Sequence, residues 1–157
     1  MIRVIPLSSS EFEARAPQMF SILSRNMQAL HPEEVPSDED YAIWLAYQTA
    51  HFSEKTYLLA EREGHVAGYL QISLRQNELL IEEIEIAPDD QLWFGVLPRL
   101  MKALRAMLPP EVETVSAYIH RDNARSAGIA EKLGMHPVGE TPSGKSVLYR
   151  GSVKEAV

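Results

Sequence analysis

Three glutamates within four residues, Glu82, Glu83 and Glu85, interrupt the apolar run from Ile81 to Ala87. In a strand, alternation sets Glu82 with Ile84 and Ile86 on one face and Glu83 with Glu85 on the other. A carboxylate held in a cleft can take a proton from an ammonium, directly or through water, and so free an amine for nucleophilic attack. A solvated sheet face has the same composition, and three neighbouring carboxylates cannot all be catalytic. Asn123 opens a helix just past the end of a strand, where open α/β sheets gather ligands, although asparagine is also a favoured helix N-cap. Cysteine is absent, which removes thiolate nucleophiles, disulfides and Cys-ligated zinc. The five histidines, at 31, 51, 65, 120 and 136, show no paired ligand spacing, so no metal site is expected.

The elements that must position these groups follow from periodicity. Ile2 to Leu7 reads as a short first strand, and Phe12, Ala16, Met19, Phe20, Leu23 and Met27 form one helical stripe, with Pro17 expected to kink or delay that helix. Ser37 with Asp38, Glu39 and Asp40 caps a second helix running to about Phe52, whose Tyr41, Ile43, Trp44, Leu45 and Tyr47 are expected to pack on a sheet. Strands are predicted over Thr56–Glu61, Val66–Leu74 and Glu78–Ala87, then a helix over Val96–Leu108 ended by Pro109 and Pro110. A strand over Thr114–His120, a helix over Asn123–Leu133 closed by Gly134, and strands near Pro137–Thr141 and Ser146–Arg150 complete the chain. The order predicts an α/β (α+β) fold in which a mixed sheet carries helices on both faces and the strand-helix-strand unit imposes a parallel pair.

That order, together with Asn123-Ala124-Arg125-Ser126-Ala127-Gly128-Ile129-Ala130-Glu131-Lys132-Leu133-Gly134-Met135, resembles the GNAT acetyltransferases, whose second cofactor motif runs in this register. Ile81 to Pro88 is similar to the family's fourth strand. The resemblance implies one domain over residues 1–157, with a mostly antiparallel sheet of six to seven strands and about four helices. It implies acetyl transfer from acetyl-CoA to a primary amine by direct attack, with Glu82 placed to assist deprotonation. By the same resemblance, backbone groups near Ile84 and Ile86 would pair with the pantetheine arm like an added strand. Gln91, Gly95 and Val96 would lie at the diphosphate loop, and Asn123, Ser126 and Ala130 at the second cofactor motif.

Two departures accompany the match. Phe94 and Val96 stand where the loop pattern has glycine, with Asp89 and Asp90 adding negative charge beside it and Pro98 removing an N–H; Arg99 and Lys102 are the side chains that could meet phosphate instead. Ala130 stands where the family has a tyrosine that protonates the leaving thiolate, which makes Tyr118 and His120 the nearest substitutes. The alternative reading is a non-catalytic GNAT-like binding or scaffolding domain, or one half of a tandem pair. The formal charge of −7 argues against nucleic-acid binding, and no apolar run approaches a membrane span, so the cytoplasm is the expected location. Acceptors from small amines to a protein N-terminus fit, and a homodimer is implied by the resemblance alone.

Overall fold

A computed structural model describes residues 1–90 and 95–157. Its frame is a seven-stranded sheet in the order β1-β2-β3-β4-β5-β7-β6. The strands are β1 (Ile2–Pro6), β2 (Thr56–Arg62), β3 (His65–Arg75), β4 (Glu78–Ile86), β5 (Thr114–His120), β6 (His136–Glu140) and β7 (Ser146–Ser152). The first four form an antiparallel meander. β4 and β5 are the parallel pair, joined through helix α3 (Val96–Met107), as such a connection requires. β7 lies between β5 and β6 and is antiparallel to both. The expected mixed, mostly antiparallel sheet is therefore present.

Helix α1 (Ser9–Leu30) begins in a capping box: Glu11 N–H donates to Ser8 Oγ at 3.2 Å, and Ser8 N–H donates to the Glu11 carboxylate at 3.0 Å. The helix runs on through Pro17, which lies on the exposed face, where a missing N–H costs least. Ser37 and Asp40 repeat the box at the start of α2 (Asp38–Ala50). The expectation that α2 packs on the sheet holds for part of it: Trp44 and Leu45 pack against the core that includes Tyr57, Leu59 and Tyr69. Tyr41 meets Phe20 of α1 edge to face and Trp44 meets it at a tilt, while Ile43 and Tyr47 are exposed, so the aromatic side of α2 rides on the first helix. Gln48 also reaches the sheet, accepting the hydroxyl of Tyr57.

The two faces of the sheet bury different cores. Under α1 the core is aromatic, with Phe12, Tyr57 and Tyr69 beside Met19 and Leu59. Under α3 and α4 (Ala124–Lys132) it is aliphatic, built from Leu70, Leu79, Leu100, Leu104 and Val115. Helix α4 ends in a Schellman turn, with Met135 N–H donating to Ala130 O and Gly134 N–H to Glu131 O, which needs Gly134 at φ +81°. A four-residue helix, α5 (Val153–Ala156), follows β7 and was not expected.

Candidate functional site

The register between β4 and β5 covers only Glu78 to Ile81 against Thr114 to Ala117. Beyond it the strands part, and a cleft of about 720 Å³ opens between the end of α1, β4, β5 and α4. That volume is in the range of small-molecule sites. On its other side β4 stays paired with β3. Ala87 N–H donates to Ala67 O at 2.8 Å, and in an antiparallel ladder bonded positions recur every second residue. Glu85 and Glu83 therefore turn their backbone groups to β3, while Ile84 and Ile86 turn theirs toward the gap. The Ile86 carbonyl already accepts Asn26 Nδ2 at 3.0 Å.

Simple alternation along β4 fails at Glu82. Gln71 pairs with Glu83 whereas the next residue, Ile72, pairs with Ile81, so Glu82 is the extra residue of a β-bulge. Expected beside Ile84 and Ile86, Glu82 instead shares the α1 face with Glu83 and Glu85: it bonds Gln71 and forms an ion pair with Lys55. Ile84 and Ile86 pack toward the aliphatic core on the opposite face.

Three carboxyls thus converge on one wall, and their surroundings divide their roles. Lys55, itself 9% exposed at the side chain, neutralises Glu82. Glu83 and Glu85 have no lysine or arginine ion-pair partner among the described residues. Enclosure by protein pushes the Glu83 carboxyl well above the ordinary range, with the Glu85 charge, a hydrogen bond to Glu85 and the Glu82 charge adding to it. Burial raises Glu85 too, opposed by the Asn26 amide at 2.8 Å, the bond from Glu83 and the charge of Arg125. The two form one proton-sharing unit in which Glu83 donates and Glu85 accepts. Both keep an opening to the cleft. Behind them, Tyr69 Oη and Gln71 Oε1 are buried without a hydrogen-bond partner among the described residues. Burial, then Glu83 and Glu85, push the Tyr69 hydroxyl upward.

On the facing wall Tyr118 is 54% exposed and lines the cleft, as does His120, whose Nδ1 accepts Asp122 N–H at 3.1 Å. Asn123 caps α4, its Oδ1 accepting Ser126 N–H at 3.1 Å. Ala130 is buried at the core edge of the same cleft. Gly95 caps α3 without a side chain, and a Cβ there would stand 2.9 Å from Ile2 Cδ1. Val96 is fully buried. Gln91 and Phe94 lie outside the described residues. Asp90, expected to burden the loop with charge, is instead buried and neutralised by Arg62, with His65 at 3.4 Å. Arg99 donates to the Ile2 carbonyl at 3.3 Å.

Sequence reasoning passed over Asn26 and Lys55. Asn26 carried a signal, since it lies three residues after Leu23 and interrupts the apolar stripe of α1 with a polar group. Lys55, in the loop before β2, carried none.

No family model matches the sequence, and no curated protein does. Solved structures match closely in shape. The PaiA N-acetyltransferase of Thermoplasma acidophilum, solved with coenzyme A, superposes with a TM-score of 0.74 at 14% identity, over 97% of this chain and 99% of that one. A GNAT-family acetyltransferase assigned as putative, from Desulfovibrio desulfuricans, gives 0.71 at 12% identity, over 98% and 99%. The ribosomal-protein-S18-alanine N-acetyltransferase of Escherichia coli gives 0.66 at 14% identity, over 98% and 94%. At such identities the likeness establishes the fold.

Proposed function

We propose that this chain, which has the fold of the GNAT acetyltransferases, transfers an acetyl group from acetyl-CoA to a primary amine. The observation that carries the reading is the parting of β4 from β5 after Ile81, which turns backbone groups of Ile84 and Ile86 toward a cleft large enough for an extended ligand arm. Acetyl-CoA, when bound, supplies the thioester whose carbonyl carbon forms the new C–N bond as the C–S bond breaks. The β4 backbone would hold the pantetheine arm, and the N-terminus of α4, between Asn123 and Ser126, lines the same cleft. Glu82 is the residue that the family resemblance favours as proton acceptor, but Lys55 holds its carboxylate. We therefore assign proton acceptance to the Glu83–Glu85 pair, which opens on the same cleft. A pair whose proton affinity is raised by enclosure holds a proton taken from an ammonium more tightly than a free carboxylate would. To Tyr118, which lines the cleft from β5, we assign the return of a proton to the thiolate.

Burial of Val96, at a position where the family's loop has glycine, favours the second reading, a non-catalytic binding domain. Isothermal titration with acetyl-CoA and with CoA tests the first. Saturable heat with both is expected. No heat and no shift in melting temperature at ligand on the order of millimolar would defeat it.

A further inference from the structure

The rim of the cleft gathers a second set of side chains, apart from the glutamate wall. His31 closes α1, its N–H donating to the Met27 carbonyl at 2.9 Å, and Glu34 N–H donates back to the His31 carbonyl at 3.0 Å. That turn keeps Glu33 and Glu34 beside the His31 ring. Opposite, His120 ends β5, and Asn123 N–H donates to its carbonyl at 2.9 Å, which folds Asp122 back against its ring. The two imidazoles meet edge to face with centroids 5.5 Å apart. Donor atoms of His31, His120 and Asp122 all lie within 4.8 Å of one another, as do those of His31, Glu33 and Glu34.

We propose that this rim binds a divalent transition-metal ion of the zinc type, ligated by His31, His120 and Asp122, with water as fourth donor. Two neutral imidazoles with a carboxylate form the donor set of zinc and its neighbours, whereas magnesium and calcium take oxygen ligands. Zinc bonds of about 2.0–2.2 Å require the donors to draw closer than they stand. The side chains of His120 and Asp122, 40% and 63% exposed, have the freedom to do so. Arg121, the cation of the same turn, bonds Glu140 and the Gly144 carbonyl and so leaves Asp122 to the metal. Ligation replaces the Asp122 N–H bond to His120 Nδ1 and orders exposed rotamers, so affinity falls below that of a closed structural zinc site. Both histidines line the cleft, and a bound ion would tie the C-terminus of α1 to the β5–α4 turn across its mouth. The site stands independently of the acetyltransfer reading.

Titration of the metal-stripped chain with zinc chloride, and in parallel with magnesium chloride, tests it. One zinc per chain and no magnesium are expected. His31→Ala and His120→Ala should each weaken zinc binding by more than about tenfold, while His136→Ala, exposed on β6, should leave it unchanged. Melting curves in EDTA establish that the variants are folded. Should one unfold, the cobalt-substituted parent still decides, because intense tetrahedral visible bands support the site and a weak octahedral spectrum overturns it. Absence of zinc binding by the parent, or parental affinity in both His31→Ala and His120→Ala, would also overturn it.

Discussion

The two faces of β4 obey different rules. Ile84 and Ile86 join an aliphatic core under α3 whose members are wholly buried, among them Leu79, Leu100 and Leu104. On the opposite face a single bulge at Glu82 adds a third carboxyl to two that already repel one another, and enclosure raises the cost of ionising them. A surface that served stability alone would place packed rings there, as the sheet does at Tyr69 on β3 and Tyr57 on β2. The difference teaches that along β4 the α3 face serves stability, while the α1 face holds unfavourable chemistry in place at its expense.

Mutations can break that contrast. The largest effect on stability should come from the α3 face, where Leu100→Ala removes a fully buried side chain and should cost about 2–5 kcal/mol, read by urea denaturation. Coenzyme A affinity, corrected for folded fraction, should be retained. A loss of affinity without a loss of stability would reverse the assignment of the two faces.

Glu83→Gln sharpens the comparison from the other side. Acetyl transfer should fall by about 10²-fold or more if the pair accepts the proton, whereas Glu82→Gln should cost less. Stability should move the opposite way. An acid whose proton affinity is raised on folding binds more protons folded than unfolded, so stability declines as pH rises from the unfolded pKa of about 4.3 through the higher folded value. Glutamine keeps the donor toward Glu85 and removes the ionisation. The variant should therefore melt higher than the parent at neutral pH, and the gap should close below about pH 4. Equal activity together with equal melting temperatures at neutral pH would mean that Glu83 is an ordinary surface glutamate.

The smallest effect belongs to Asn123. As an N-cap it should cost about 0.5–2 kcal/mol on replacement by alanine, visible in thermal denaturation. If it also holds the acyl donor, CoA affinity should drop further than that loss explains. Parental affinity with a lower melting point would leave it a cap alone.

Much of this was legible in the chain. Strand and helix limits emerged because apolar spacing is strict where an element has one buried side: the strand over Thr114–His120 was placed to the residue, and most others shifted by one or two at their ends. The bulge was not legible, since an extra residue within a row of glutamates leaves the local composition unchanged. The exposure of Ile43 and Tyr47 was hidden for a related reason, because an apolar helix does not reveal whether a sheet or another helix lies beneath it. His31 and His120 are brought together by tertiary structure, which ligand-spacing rules cannot see. Asp90 looked like an exposed charge because Arg62, its partner, belongs to a distant strand.

The strand order has a kinetic meaning. β1 to β4 join neighbours: α1 and α2 intervene between β1 and β2, but the remaining links are short turns. β5 has only four register positions on β4, and its other partner, β7, arrives after α4 and β6 have been made. The sheet therefore consists of an early meander and a later three-stranded unit, each richer in contacts within itself than across their junction. The cleft runs along that junction. Its opening is the gap left where the two strand groups part beyond Ile81, so widening or narrowing it would shift one group against the other across the four register positions that join β4 to β5.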